Sequence, residues 1–185
     1  MRKNFGVKSW FYPQPVLIIA TYDENGNPDA MNAAWGGLYD GNKVELCLSA
    51  GHKTTKNIRA TGAFTVSFAD AANLVASDYV GLASANTEPK KMEKSGFHLT
   101  KSQFVNAPLI DELPVAMECK LVKINEDGNV IGEIVNVSAD ESVLGEDGNI
   151  DFSKFRPISF EPVHNGYHVL GQRVGNAFQD GAALK

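Results

Sequence analysis

The stretch VAMECKLVKINEDGNVIGEIVNVSA, residues 115–139, decides the fold class of this chain. Two runs rich in apolar and β-branched residues, 115–124 and 130–139, lie on either side of EDGN at 126–129. Asp-Gly between two such runs is typical of a β-hairpin, because the tight turn needs residues that accept a positive φ. The stretch therefore predicts two long antiparallel strands.

A second hairpin is predicted near the N-terminus. VLIIATY at 16–22 is apolar and β-branched, ENGN follows at 24–27, and DAMNAAW at 29–35 forms the returning strand. Asn-Gly is the strongest short hairpin signal. Further strands are predicted at 44–49, 63–69, 157–162 and 166–171, and helices at about 54–61, at about 70–84 and near the C-terminus.

Six or seven antiparallel strands with few helices predict a mainly β fold, a Greek-key barrel with helices at its edges. A β-sandwich is the alternative, since the strand pattern alone does not separate the two. The 185 residues, 43% of them hydrophobic, are enough for a single domain over residues 1–185.

The composition argues against several classes of function. A net charge of −5 and a pI of about 5.3 give no basic field for a nucleic-acid backbone. No apolar run approaches the roughly 20 residues of a membrane span, and MRKNFGVKSW at 1–10 lacks the apolar segment of a signal peptide. With only Cys47 and Cys119 a disulfide framework is not expected, so a cytoplasmic location is predicted.

The donor-rich stretch SAGHKTTKN at 49–57 lies between a predicted strand and a predicted helix. Thr54 is predicted to cap that helix, so that its first free N–H groups belong to the three residues that follow. A helix N-terminus binds anions, and Gly51 lets a ligand come close to the backbone. The side-chain donors of the stretch are Lys53, Thr55, Lys56 and Asn57.

The alternative for this stretch is an ordinary capped helix with solvated lysines. Lys53 and Lys56 place positive charge on the first turn, where the helix dipole disfavours each by roughly 0.3–1 kcal/mol. A bound anion would reverse that penalty, so the density of donors favours an anion site.

A second polar segment, ASANTEPKKMEKSGF at 83–97, carries three lysines. Lys90, Lys91 and Lys94 form either a solvated helix face or a source of one lysine for the same anion. The segment taken alone favours the solvated face.

The small residues of PDAMNAAWGG at 28–37 predict a surface for a flat ligand. Ala33 and Ala34 present little side chain, so a ring could lie against this backbone, and Asn32 offers both a donor and an acceptor. Trp35 could pack on such a ring or fill the barrel core.

Together these segments resemble the flavin reductase-like, FMN-binding split-barrel family, most closely its flavoredoxin branch. The resemblance covers nearly the whole chain and is carried by 13–35, by the Thr-x-x-Asn-Ile and Thr-Gly-x-Phe patterns within 49–68, and by GYHVLGQRVGNAF at 166–178. Ser84 and Lys91 match a Ser and a Lys of the family, whereas the acidic and aromatic neighbours of that Lys are absent here.

The resemblance implies a homodimer of split barrels that binds one FMN per subunit near the dimer interface. It assigns the phosphate to Lys53, Thr54, Thr55 and Asn57, with help from Lys91. It assigns the isoalloxazine ring to the backbone of Asn32, Ala33, Ala34 and Trp35. The remaining implied contacts are Ser49, Ala50, His52 and Ser84. Backbone N–H groups between 49 and 55 could stabilise charge on the reduced ring, so no catalytic side chain is expected.

Other chemistries are not expected. Cys47 and Cys119 lie in apolar runs and are predicted to be inert packing residues. His164 and His168 are four residues apart in a predicted strand and turn, a poor arrangement for a metal, so no metal site is predicted. The two EDGN segments are predicted to be turns with solvated carboxylates.

The leading hypothesis is an FMN-dependent oxidoreductase, either an NAD(P)H:flavin reductase or an electron-transfer flavoprotein with a redox protein partner. The alternatives are a module that stores or delivers FMN without turnover, and a small-molecule-binding barrel unrelated to flavin. No Gly-x-Gly-x-x-Gly fingerprint is visible. Reductases of the resembled family, however, bind the nicotinamide against the flavin without such a domain.

Overall fold

A computed structural model describes residues 1–185. Its strands are β1 (Gln14–Pro15), β2 (Leu17–Tyr22), β3 (Pro28–Ala33), β4 (Gly36–Asp40), β5 (Lys43–Leu46), β6 (Ala63–Phe68), β7 (Leu99–Lys101), β8 (Pro108–Ile110), β9 (Val115–Ile124), β10 (Val130–Ala139), β11 (Ile158–Glu161) and β12 (Gly166–Val169). Its α-helices are α1 (Lys53–Thr61), α2 (Leu74–Leu82) and α3 (Lys91–Ser95), with 3₁₀ helices at Glu141–Val143 and Asp180–Leu184.

A seven-stranded antiparallel sheet forms the body of the molecule, in the order β3-β2-β6-β9-β10-β5-β4. The sheet curls into a half-barrel, and a three-stranded sheet, β1-β11-β12, lies beside it. Only Val16 separates β1 from β2, so one run of chain serves both sheets. The predicted split barrel is confirmed.

Both predicted hairpins are confirmed. β9 and β10 have the predicted bounds and pair from Val115 with Ala139 to Ile124 with Val130. Gly128 and Gly26 occupy positive φ, at 88° and 81°, in the two turns, which is why Asn-Gly and Asp-Gly identified them.

Several predicted elements are shorter in the structure, and others were missed. The helix expected from Asp70 begins at Leu74, because the Asp70 carboxylate accepts the Asn73 N–H at 2.8 Å and closes a turn there. The expected C-terminal helix is only the short 3₁₀ run. Sequence patterns did not identify β1, β4, β7, β8 or α3.

β2 is buried on both faces, which divides the core in two. Ile18 and Ala20 pack with Val80 of α2 on one face, whereas Leu17 and Ile19 pack inside the half-barrel with Phe64 on the other. β3, the neighbour of β2, is an edge strand that contacts both α1 and α2. No helix has the length and apolar character needed to cross a bilayer.

Candidate functional site

The first turn of α1 offers three unused N–H groups. The helix begins at Lys53, and His52 is its N-cap residue without a side-chain capping bond, so the predicted Thr54 cap is wrong. The first helical hydrogen bond runs from the Lys56 N–H to His52 O at 3.1 Å. The N–H groups of Lys53, Thr54 and Thr55 therefore have no acceptor in the chain, and no acidic residue lies in this turn. This geometry suits an anion.

Two of the predicted donors face inward instead. Thr54 Oγ1 donates to Asp29 Oδ2 at 2.6 Å, and Asn57 Nδ2 donates to Thr21 Oγ1 at 3.0 Å. Both side chains are buried. They fix α1 to the β2–β3 hairpin, so a ligand at the helix N-terminus would meet the backbone of Thr54 rather than its hydroxyl.

Thr55 is the exception among the buried side chains of α1. Its Oγ1 is buried and has no hydrogen-bond partner in the chain. A buried hydroxyl without a partner costs about 1–3 kcal/mol. An anion at the first turn could supply the missing hydrogen-bond acceptor.

The lysines near the turn are paired with carboxylates of the same hairpin. Lys53 Nζ lies 3.3 Å from Asp23 Oδ2, with its side chain 31% exposed. Lys91 Nζ lies 3.2 Å from Asp29 Oδ1, and both side chains are buried. The Asn27 N–H, more than Lys53, holds the pKa of Asp23 at about 2. Of the two lysines implied for phosphate, only Lys53 is accessible, and the solvated reading of Lys91 is wrong.

The second polar segment does reach the donor-rich stretch, through a residue that sequence reasoning missed. Asn86 Nδ2 donates to Gly51 O at 3.1 Å, and its Oδ1 accepts from Lys56 Nζ at 3.3 Å. The exposed Ser84 begins this loop, and its hydroxyl accepts the Asn86 N–H at 3.3 Å. The loop therefore forms a wall beside the exposed residues Ser49, Ala50 and His52.

The small-residue segment lies next to this wall. Asn32 is on edge strand β3, and its Nδ2 donates to Ser77 O of α2 at 3.0 Å. Trp35 is 56% exposed, so it does not fill the core. Its carbonyl accepts the Cys47 N–H at 2.8 Å, which fixes the start of the 47–52 loop beside it.

Two cavities flank Ala34. One has a volume of about 410 Å³ and is bordered by Phe11, Trp35 and Cys47. The other has a volume of about 240 Å³ and is bordered by Asn32, Ala33, Ala34, Asp78, Gly81, Leu82, Phe160 and Tyr167. A planar ligand on the Asn32–Trp35 backbone would therefore have open space on either side.

The two cysteines differ. Cys119 is buried in the half-barrel, and burial raises the pKa of its thiol to about 12, as expected of a packing residue. Cys47 is exposed beyond the end of β5, so its predicted packing role is wrong. The prediction failed because the strand expected at 44–49 ends at Leu46, which leaves Cys47 outside it.

Asp78 and Tyr167 are further polar residues that the sequence did not single out. Tyr167 OH donates to Asp78 Oδ1 at 2.7 Å. Desolvation, together with this hydrogen bond, raises the pKa of Tyr167 to about 12, so the phenol is neutral at physiological pH. No group of three or more His, Cys, Asp or Glu side chains is placed to hold a metal.

An edge strand of small residues beside a helix N-terminus with free N–H groups is an arrangement that suits a flat ligand carrying an anion. The flavin reductase like domain family matches residues 9–159, and the chain belongs to this family. The resemblance seen in the sequence is thereby confirmed.

Solved structures agree. Flavoredoxin of Desulfovibrio vulgaris (Miyazaki F) is 34% identical, with a TM-score of 0.94 over 98% of this chain and 100% of that one. A flavoredoxin from Methanosarcina acetivorans is 25% identical, with a TM-score of 0.89 over the whole of both chains. An FMN-binding domain of a flavin reductases-like enzyme from Shewanella baltica shares the fold, at 21% identity and a TM-score of 0.78 over 88% and 89% of the two chains.

Proposed function

We propose that the protein is an FMN-binding oxidoreductase whose cofactor phosphate binds at the first turn of α1. The observation that carries this proposal is the set of three acceptor-free N–H groups at Lys53, Thr54 and Thr55. The orphaned Thr55 hydroxyl and the accessible Lys53 ammonium supply further donors. The residues present therefore fit a phosphate. Lys91 supports the site indirectly, by neutralising Asp29 beneath the turn.

The ring is assigned to the backbone of Asn32, Ala33, Ala34 and Trp35. Bound FMN would supply hydride and electron transfer, which no side chain here provides. The protein's part is to hold the ring against β3 and to aim the N–H groups of residues 49–51 at the charge that develops on reduction. The fixed contact between Trp35 O and the Cys47 N–H sets the distance between these two segments.

FMN rather than riboflavin is proposed because the anchor is built for an anion. Riboflavin lacks the phosphate, so it should bind at least about ten-fold more weakly, a difference of about 1.4 kcal/mol. Fluorescence-quenching titrations with both flavins measure this ratio. Equal affinities would overturn the assignment of the phosphate to α1.

Lys53→Ala tests the same anchor by mutation. Losing a charge-assisted bond of about 1.5–3 kcal/mol should weaken FMN binding roughly 10- to 150-fold while leaving riboflavin binding unchanged. Lys90→Ala is the matched control, because Lys90 is an exposed lysine that pairs only with Glu93, at 3.8 Å. If Lys53→Ala binds FMN as tightly as the wild type, the first turn is only an ordinary helix start.

The proposal also concerns the source of the electrons that reduce the bound FMN. Either the protein accepts hydride from NAD(P)H, or it exchanges electrons with a redox protein partner. Anaerobic mixing of the FMN-loaded protein with NADH and with NADPH separates the two, because only the first produces rapid bleaching of the flavin bands. A protein that binds FMN yet is reduced by neither NAD(P)H nor a low-potential electron carrier would instead be a storage module.

A homodimer is proposed to cover the ring side of the site. Edge strand β4 exposes Leu38 and Tyr39, at 75% and 50%, next to the exposed Trp35. The first 13 residues, which include Phe11, are also exposed throughout. A second copy would bury this apolar surface. Light scattering should give about 40 kDa, twice the 20.0 kDa of one chain, and a monomer at micromolar concentration would contradict the dimer.

A further inference from the structure

The smaller cavity beside Ala34 presents hydrogen-bond acceptors and few donors. Tyr167 gives its only hydroxyl proton to Asp78 Oδ1, and its oxygen is in turn hydrogen-bonded by the Asn32 side chain, so Tyr167 has no donor left for a ligand. Asn32 uses an amide hydrogen on Ser77 O, and its Oδ1 accepts no bond within the chain.

Asp78 leaves a negative charge at this cavity without a cationic partner. Its carboxylate accepts one hydrogen bond, from the Tyr167 hydroxyl to Oδ1, and Oδ2 is left without a donor. None of the chain's ion pairs includes Asp78. A partly buried carboxylate of this kind favours a ligand that brings both positive charge and N–H donors.

The remaining walls are apolar and aromatic. The rings of Phe160 and Tyr167 lie 6.0 Å apart at an interplanar angle of 56°, and Leu82 closes the side formed by α2. At the floor α2 packs closely on β3, because a Cβ at Gly81 would lie only 2.9 Å from Asn32 Cβ. Walls of this kind suit the flat body of a small aromatic molecule, and an aromatic face also favours a cation.

We propose that this cavity is a binding site for a small aromatic cation, with an amidinium or ammonium group on Asp78 and an aryl body against Phe160 and Leu82. The site lies within the same 240 Å³ space that borders the ring segment. A molecule held there would sit beside the flavin ring, where the cavity can select which organic molecules approach it. The binding step itself does not depend on FMN.

Benzamidine is the probe, with benzoate as its matched anion at equal ionic strength. Titrations followed by ¹H–¹⁵N spectra of the flavin-free full chain should show benzamidine shifting the signals of Ala33, Gly81 and Leu82, with benzoate leaving them unchanged. Asp78→Asn should weaken benzamidine at least about ten-fold, the value of one charge-assisted bond. Glu126→Gln, which alters an exposed carboxylate in the β9–β10 turn, should have no effect.

A second variant keeps the test valid if Asp78→Asn disturbs α2. Tyr167→Phe retains the Asp78 carboxylate and frees its Oδ1, so benzamidine should still bind within about three-fold of wild type. Equal binding of benzoate, or an Asp78→Asn variant as tight as wild type, would overturn the proposal. Displacement of benzamidine by FMN would also overturn it, because the cavity would then belong to the flavin itself. Benzamidine binding in a protein that ignores FMN would support it while refuting the proposed cofactor.

Discussion

Asp29 and Glu118 are both buried carboxylates, and the chain holds them in opposite ways. Asp29 accepts from Lys91 Nζ at 3.2 Å and from Thr54 Oγ1 at 2.6 Å. Glu118 accepts from Asn136 Nδ2 at 2.6 Å and from the Ser102 hydroxyl. A cation neutralises the first carboxylate, whereas neutral donors alone hold the second.

The two networks also end differently. Ser102 Oγ accepts the N–H groups of Phe104 and Val105, both at 3.0 Å, so the Glu118 network closes on itself and satisfies its loop. The Asp29 network ends at the first turn of α1, whose N–H groups stay without acceptors. The Glu118 network therefore stabilises the fold, whereas the Asp29 network supports the helix turn at which we propose that the ligand binds.

The largest expected effect comes from breaking the charged pair. Asp29→Asn leaves the Lys91 ammonium buried and unpaired, so the free energy of unfolding should fall by about 3–5 kcal/mol. Urea denaturation measures the loss. The double variant Asp29→Asn with Lys91→Met removes both charges and should recover most of it. A single variant as stable as the wild type would mean that the pair contributes no more than a surface ion pair.

Glu118→Gln should cost less, because no charge is stranded. One of the two donors, from Ser102 or Asn136, would then face an amide NH₂ group, and the loss should be about 1–3 kcal/mol. The same denaturation experiment measures it, with the exposed Glu126→Gln as control. A loss larger than that of Asp29→Asn would reverse the ranking of the two networks.

Thr55→Val tests the contrast between fold and ligand, because it should weaken FMN binding without lowering the stability of the protein. Removing a buried hydroxyl without a partner should leave the stability of the flavin-free protein unchanged or slightly higher. The affinity for FMN should fall about two- to ten-fold, the value of a neutral hydrogen bond of about 0.5–1.5 kcal/mol. Thermal unfolding and FMN titration measure the two quantities, and an unchanged FMN affinity would remove Thr55 from the anchor.

The smallest effect is expected at a third carboxylate contact, between Asp78 and Tyr167, because it is only partly buried. Folding raises the pKa of Tyr167 from 10.0 to about 12, so the protonated phenol is the form that the fold favours. Its contribution to stability is complete below pH 10.0 and is lost as the pH rises to about 12. Tyr167→Phe should lack this part of the alkaline decline, and identical profiles for the two proteins would contradict it.

The parts of the fold that sequence could predict are those encoded locally. β9 and β10 have the predicted bounds because two apolar, β-branched runs flank an Asp-Gly turn, whereas the two register shifts between the strands were not predicted. β4, with sequence GGLYD, was missed because its side chains are mostly exposed and so show no apolar alternation.

The site was predictable as a set of donors and not as an arrangement. The hydrogen-bonding capacity of residues 49–57 is visible in their sequence. The acceptor of Thr54, however, is Asp29, 25 residues away, and Lys91 binds the same carboxylate from a distance of 62 residues. Nothing local distinguishes Asp29 from a turn residue such as Asp23. The acceptor-rich cavity could not be predicted from the sequence either, because Asp78 and Tyr167 are 89 residues apart.

Three of the Asx-Gly turns, those at Gly26, Gly128 and Gly148, differ in what they contact, and this determines where foreign sequence can be inserted. Asp23 in the first turn holds Lys53, and Asn129 in the second donates to Glu45 Oε1 at 2.9 Å, so lengthening either would disturb the site or the sheet. The turn at 145–149 is closed by its own bonds, from the Gly145 N–H to Asn149 O at 2.8 Å and from Asn149 Nδ2 to Asp147 at 3.0 Å. An affinity tag or a fluorescent reporter belongs there, where it would interrupt neither the sheet nor the anchor.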